Sequence, residues 1–347
     1  MSDLKPFLAA IAAGKTLTEA EAEQAFSIVM SGTATEAQIG ALLMGMRVRG
    51  ETVEEIAGAA RVMRANVHAI DAPEGAIDTC GTGGDGSGTL NISTAAAIVT
   101  AACGVPVAKH GNRALSSQSG SADVLAALGV DLDADLPLVE RSLWDNNIAF
   151  LMAPRHHTAM RHVMAARRDL GTRTIFNLLG PLSNPAGTRR QLVGVFAKNW
   201  VKPLAEVLAR LGADAAWVVH GSDGLDELTV TGPSYVAELK DGRIRTFEVT
   251  PEDAGLRRAK IEDLKGGDAI ANARALRTLL HGQPGPYRDV VLLNSAAALI
   301  VAGVAENLAA GVERAAQAID SGSALATLDR LVAVGHQAKT TPAQSPA

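Results

Sequence analysis

Ala76-Ile77-Asp78-Thr79-Cys80-Gly81-Thr82-Gly83-Gly84-Asp85-Gly86 is the stretch that decides the fold. Its first half, Ala76 to Cys80, is a short apolar strand. Its second half is a glycine loop, and a helical pattern from Ile92 to Cys103 follows within a few residues. Strand, glycine loop and helix in that order open a βαβ unit. Glycines let main-chain N–H groups approach an anion closely, and a helix N-terminus adds positive potential. The ligand expected here therefore carries phosphate.

The rhythm continues downstream. Val105 to Ala108 is the next strand, Ser121 to Leu128 and Leu136 to Asn146 are helices, and Ile148 to Met152 is again a strand. Strands at Leu192 to Phe196 and Ala216 to Val219 flank a helix from Pro203 to Leu211. This predicts a mostly parallel sheet covered by helices. Tyr235 to Glu248 reads as an antiparallel hairpin turning at Asp241-Gly242. Helices resume after Asp268, and a Thr/Pro/Gln/Ser-containing tail, 339–347, is expected to be disordered.

Upstream the texture is helical. Thr18 with Glu21, Thr35 with Gln38 and Thr52 with Glu55 each fit a capping box, and Gly32 and Gly50 supply stops. The turns between them are short, so the helices are expected to pack antiparallel. The fold class is α/β, with a small all-helical N-terminal domain over 1–72 and a larger domain over 73–338. Residues 158–190 break the sheet pattern with a basic helix and a Pro/Gly/Asn-rich stretch. Part of this interruption is expected to rejoin the helical domain and close a cleft.

Composition narrows the function. A chain of 347 residues suits two domains, and 47% hydrophobic residues can fill them. The 32 basic and 37 acidic residues leave a net charge of −5, without the basic excess of a nucleic-acid binder. Cys80 and Cys103 form neither a disulfide framework nor a CxxC motif, and both read as small buried apolar groups. The N-terminus lacks a secretion signal. The longest apolar run, Val290 to Ala305, is broken by Asn294, Ser295 and Gly303, so no membrane span and a cytoplasmic location are expected.

The loop from Gly81 to Gly86 satisfies G-x-G-x-x-G, but the dinucleotide fingerprint also needs an acid roughly 20 residues on. Lys109-His110-Gly111-Asn112-Arg113 stands there instead, which excludes NAD. No Lys lies between Cys80 and Val107, which excludes a Walker A loop. Asn91-Ile92-Ser93-Thr94 and the stretch from Lys109 to Ser117 both fall at carboxyl ends of strands, where ligands of open α/β sheets gather. For Ser93 alone, a simple helix cap is an equal alternative. Asp226 and Glu227 follow another apolar strand. Adjacent carboxylates repel unless a cation lies beside them, and magnesium shared with substrate phosphates fits, a solvated acidic turn being the alternative. Arg167, Arg168 and Arg173 form a basic group that is either a solvated helix face or a fork for a carboxylate. His156, His157 and His162 lack zinc spacing.

Together, Asp78 to Asp85, Asn91 to Thr94, Lys109 to Ala114, Gly224-Leu225-Asp226-Glu227, Thr174 to Pro185 and Asn294 to Ala297 resemble the anthranilate phosphoribosyltransferase family across nearly the whole chain. The resemblance implies a soluble Mg2+-dependent enzyme, usually a homodimer formed through its helical part. It implies transfer of phosphoribose from phosphoribosyl pyrophosphate to anthranilate, with release of pyrophosphate. The implied donor site comprises Gly81, Gly84, Asp85, Thr89, Asn91, Ile92, Ser93, Thr94, Lys109, His110, Gly111, Asn112, Arg113, Ala114, Leu115, Ser116, Ser117 and Ser121. Ser93, Asp226 and Glu227 are the implied metal ligands. Gly81, Asn112 and Arg167 are implied to meet anthranilate, Arg167 facing its carboxylate, and His110 is a candidate for the amine. The chain departs from the family pattern at Thr158, where Pro is frequent, and at Leu90, where Phe is frequent. The alternatives within this architecture are a pyrimidine nucleoside phosphorylase and a non-catalytic nucleic-acid-binding relative.

Overall fold

The structure, a computed structural model, describes residues 3–114 and 118–338. Leu115, Ser116, Ser117 and the tail 339–347 lie outside the described residues.

Four helices open the chain: α1 (Lys5–Ala12), α2 (Glu19–Met30), α3 (Glu36–Arg49) and α4 (Val53–Ala65). Capping boxes start α2, α3 and α4 as expected, with Thr18, Thr35 and Thr52 reciprocally bonded to Glu21, Gln38 and Glu55. Gly32 and Gly50 have positive φ just past the ends of α2 and α3. The packing corrects the expectation that consecutive helices pair. The main partners are α2 with α4 and α1 with α3. Gly58 explains the first contact: a Cβ there would lie 2.8 Å from the Ala22 Cβ and overlap the Glu19 carbonyl, so α2 and α4 approach at backbone distance.

Among the described residues, seven strands form one sheet: β1 (Ile77–Gly81), β2 (Val107–Gly111), β3 (Ile148–Met152), β4 (Arg190–Gly194), β5 (Ala215–Gly221), β6 (Ser234–Lys240) and β7 (Arg243–Val249). Their order is β3-β2-β1-β4-β5-β6-β7. The strands β1 to β5 run parallel, and β6 and β7 add an antiparallel edge. Asp241 and Gly242 turn the hairpin with φ of 52° and 70°, the left-handed pair of a type I′ turn. The strand β2 begins two residues later than the apolar pattern suggests and runs on to Gly111, because its pairing with β3 continues to Gly111↔Met152.

The remaining helices are α5 (Ile92–Ala102), α6 (Ser121–Ala127), α7 (Leu136–Asn146), α8 (Ala153–His156), α9 (Arg161–Leu170), α10 (Phe176–Leu179), α11 (Val201–Arg210), α12 (Ala269–Leu280), α13 (Pro286–Val301), α14 (Leu308–Asp320) and α15 (Ser323–Ala338). One core lies under α5 and α12 to α15, around Ile98, Val99, Val291 and Leu328. A second joins the opposite sheet face to the N-terminal helices, with Phe26, Leu42 and Ile56 in one cluster with Val193, Val218 and Leu204, and a small third one gathers Ile70, Ala108, Leu143 and Leu151. Within 158–190, α9 packs on α3 and α2. Phe176 of α10 meets Phe26 edge-on with centroids 5.8 Å apart. No helix among the described residues is long and apolar enough to cross a membrane.

Candidate active site

The strand order reverses between β1 and β4. That is the switch point at which an open α/β sheet leaves a crevice beyond its carboxyl ends. The glycine loop fills this place. Gly83, Gly84, Gly86 and Gly88 have φ of 67°, 74°, 72° and 61°, left-handed conformations that glycine adopts without strain. Thr82 anchors the loop on β4, its N–H donating to the Gly194 carbonyl at 2.9 Å and its Oγ1 accepting from Phe196 N–H at 3.0 Å.

Asp226 and Glu227 reach the loop from beyond β5. The Gly83 N–H donates to Asp226 Oδ2 at 2.8 Å, and the Ser93 N–H donates to Glu227 Oε1 at 3.2 Å. The pair thus links the glycine loop to the start of α5. Burial pushes both carboxyls up; Asp85 raises Asp226 further, Asp226 raises Glu227 further, and Lys109 opposes both shifts. Two adjacent carboxylates so withdrawn from water, Asp226 buried and Glu227 half-buried, call for a cation to let both ionise, so the donor set fits magnesium.

Two glycines make room for this arrangement. A Cβ on Gly194 would overlap the Asp226 carbonyl, and one on Gly81 would overlap Asp226 Oδ2.

The Lys109 segment corrects the expectation that it lies past the strand end. Lys109 and His110 are within β2 and point to opposite faces. Lys109 is buried and donates to the Thr79 carbonyl at 2.5 Å. His110 is also buried, its Nδ1 3.2 Å from the Gly180 carbonyl and its Nε2 3.2 Å from His157 Nε2. Burial pulls His110 down to about 3 and His157 to about 4, so both rings are neutral near pH 7. Neither nitrogen of His110 is left over.

Beyond the strand, the Asn112 carbonyl accepts from Ser121 Oγ at 3.3 Å and from Ala122 N–H at 3.2 Å. Arg113 pairs with Asp123 at 3.2 Å, and Ala114 N–H donates to the same carboxylate at 2.9 Å. Gly111 sits so close to Ser121 that a Cβ would overlap Ser121 Oγ. Ile92 and Thr94 turn their side chains into the core, and the buried Thr94 hydroxyl has no hydrogen-bond partner among the described residues. At these two positions only the main chain can face a ligand.

Across the crevice, Arg167 lies half-buried over the Phe176 ring, 5.2 Å from its centroid. Burial lowers its pKa, and among the described residues no carboxylate pairs with it. Arg168, by contrast, is exposed and pairs with Asp169 at 3.4 Å. Arg173 stacks 4.4 Å from the Phe196 centroid and donates to the Gly84 carbonyl, tying the 158–190 segment to the glycine loop. His156 Nδ1 donates to the His68 carbonyl at 2.6 Å, and the His68 ring lies 3.2 Å from Thr158 Oγ1.

Residues 5–67 match the glycosyl transferase family, helical bundle domain, and residues 73–325 match the glycosyl transferase family, a/b domain. The chain is 65% identical over 340 residues to the anthranilate phosphoribosyltransferase of Azospirillum brasilense, covering 98% of this chain and 95% of that one. The crystal structure of the Thermus thermophilus enzyme superposes with a TM-score of 0.90 at 44% identity, covering 95% of this chain and 99% of that one. The Saccharomyces cerevisiae enzyme in complex with PRPP and Mg superposes with a TM-score of 0.88 at 28% identity, covering 96% and 98% of the two chains. The chain belongs to the anthranilate phosphoribosyltransferase family.

Within this family architecture, two features of the site escaped sequence reasoning. Gly194 has no chemical group to betray it, and only its place at the end of β4, beneath Asp226, gives it a role. Arg173 was legible as a basic residue but not as the one whose guanidinium reaches the glycine loop, since the contact spans 89 positions of sequence.

Proposed function

We propose that this crevice transfers the phosphoribosyl group of phosphoribosyl pyrophosphate to the amine of anthranilate, releasing pyrophosphate, in tryptophan biosynthesis. The observation that carries the reading is the Asp226-Glu227 pair, one carboxyl buried and one half-buried, bonded at once to Gly83 and Ser93 beside the glycine loop. The loop's main-chain N–H groups hold the donor phosphates. Magnesium, when bound by Asp226, Glu227 and Ser93, neutralises charge on the departing pyrophosphate; the PRPP and Mg complex of the yeast relative supports this.

Arg167, desolvated and without an acidic partner, offers its fork to the anthranilate carboxylate. The amine, aligned with C1 of the ribose by the remaining acceptor contacts at Asn112 and Gly81, attacks as the C1–oxygen bond to pyrophosphate breaks. The amine then loses its proton to solvent. Alignment of this kind is worth up to about 7–11 kcal/mol. His110 orients its loop, because both ring nitrogens are already engaged.

The helical domain is formed by 1–72 with part of 158–190, which supports closure over the crevice. The resemblance to the family favours a homodimer through this domain, and a cytoplasmic location suits the chemistry. The rival is a pyrimidine nucleoside phosphorylase. Chromatography of reaction mixtures separates the two: pyrophosphate should appear only when anthranilate, donor and magnesium are all present. Cleavage of uridine by phosphate, with no pyrophosphate from the first mixture, would overturn the proposal.

A further inference from the structure

Asn91 stands at the N-cap of α5, where an Asn side chain ordinarily accepts from the first turn of the helix. Here it makes no such cap. Its amide is drawn sideways instead: Asn91 Oδ1 accepts from Asn272 Nδ2 at 2.9 Å, and Asn91 Nδ2 donates to the Ser119 carbonyl at 3.4 Å. Asn272 is 2% exposed and sits in the first turn of α12, 181 positions further along the chain.

The direction of this relay is fixed from one end. The Gly267 N–H donates to Asn272 Oδ1 at 2.8 Å. A main-chain N–H can only donate, so the Asn272 oxygen must face it and the Asn272 nitrogen must face Asn91. That in turn makes the Asn91 oxygen the acceptor and leaves its nitrogen pointing toward 119.

A second tie comes from α13. The Tyr287 hydroxyl donates to the Asn91 carbonyl at 3.1 Å. Burial and the nearby Glu227 push that phenol up, which keeps it a donor.

The backing is rigid main chain. Leu90 N–H donates to the Leu264 carbonyl at 2.9 Å, and Gly266 N–H donates to the Gly88 carbonyl at 2.9 Å. Lys265 bridges to Thr89 and donates from Nζ to the Ser87 carbonyl. A Cβ on Gly266 would lie 2.8 Å from the Thr89 carbonyl oxygen, so the strap at 264–267 lies flat on the loop.

We propose that Asn272 and Tyr287 are positioning residues of the donor site, fixing the orientation and place of Asn91 from the C-terminal helices. The inference rests on the donor site proposed above. It assigns to α12 and α13 a share in binding that neither helix's own composition suggests. Asn272 acts on the Asn91 amide and Tyr287 on its carbonyl, so the two ties reach one residue through different atoms.

The test is steady-state kinetics on wild type, Asn272→Ala, Asn91→Ala, their double variant and Tyr287→Phe, with thermal midpoints as a check of folding. Asn272→Ala should raise the donor KM about tenfold, the scale of one lost buried hydrogen bond. The anthranilate KM should stay within about twofold, because no contact of the relay reaches Arg167. The loss in the double variant should fall well short of the sum of the two single losses, since the Asn272 amide nitrogen acts through Asn91 and only its oxygen, on the Gly267 N–H, acts by another way.

Additive losses in the double variant, or an anthranilate KM that rises in step with the donor KM, would overturn the inference. Should Asn272→Ala not fold, Tyr287→Phe, which deletes one hydroxyl, carries the same donor-specific expectation. An unchanged donor KM there would overturn it equally. If the folded wild type binds no donor, the donor site itself is lost, and this inference with it. If the wild type binds donor and the variants bind it as well, only the inference fails.

Discussion

Asp226 Oδ2 accepts the Gly83 N–H at 2.8 Å across 143 positions of sequence. That one bond joins the carboxyl end of β1 to the turn after β5, and so brings the acidic pair onto the glycine loop. Since Glu227 makes the matching contact with Ser93 N–H, the two carboxylates have fixed places before any cation arrives.

Asp226→Asn combined with Glu227→Gln keeps the shapes and removes the charge. Turnover should fall by at least about a hundredfold, given the several kcal/mol that a metal Lewis acid supplies. The residual rate should no longer depend on magnesium concentration. Near-normal, magnesium-stimulated turnover would remove these residues from the metal site.

Gly194→Ala tests the same site without touching a charge. The added methyl would lie 1.5 Å from the Asp226 carbonyl oxygen, where real contacts stay beyond 3.0 Å, so the turn must move by well over an ångström. Turnover and magnesium affinity should drop together, while the sheet, held by its ladder through β1 and β5, stays folded. Circular dichroism with a magnesium titration checks both; normal magnesium dependence would show that the turn has other places to go.

Arg167→Ala should raise the anthranilate KM far more than the donor KM, by on the order of a hundredfold for a lost charge-assisted fork. Arg167→Lys should recover only part, because an ammonium cannot reproduce the planar pair of donors. Equal effects on both substrates would argue against the carboxylate role.

The histidine pair makes a pH prediction. His110 and His157 fall from an ordinary 6.5 to about 3 and about 4, chiefly through burial. Below pH 6.5 the unfolded chain therefore binds more protons than the folded one. Stability from this source is complete above 6.5 and is lost as pH falls toward 3, by at most about 1.4 kcal/mol per pH unit for each ring. The groups acting on the pair are His156, the Gly180 and Ser183 main chain, Lys109 from the other face of β2, and Asp78, whose carboxylate accepts the His110 N–H at 3.1 Å. Thermal midpoints of wild type and His157→Gln between pH 4 and 7 should diverge, with the variant flatter. Parallel curves would mean that the rings charge freely in the folded state.

How much of this was legible in the amino-acid sequence depends on the distance over which each residue acts. The caps at Thr18, Thr35 and Thr52 were readable because a capping box is local. The Asp241-Gly242 turn was readable for the same reason. The glycine loop and the acidic pair announce their chemistry by composition. What the pattern could not carry was which side of a strand a residue takes. Lys109 was expected past the end of β2, yet parallel pairing extends the strand and sends its amine to Thr79. The helix start hides a side too: Thr94, in the first turn of α5, buries its side chain and leaves only its main chain for the ligand expected there. The pairing of α2 with α4 depended on Gly58, whose role is only to be small.

The most direct test of the reaction is the loss of anthranilate fluorescence when purified protein is mixed with phosphoribosyl pyrophosphate and magnesium, with EDTA as control. The signal should decay only with both donor and metal present, and EDTA should abolish the decay. A flat signal from folded protein under the same conditions would contradict it.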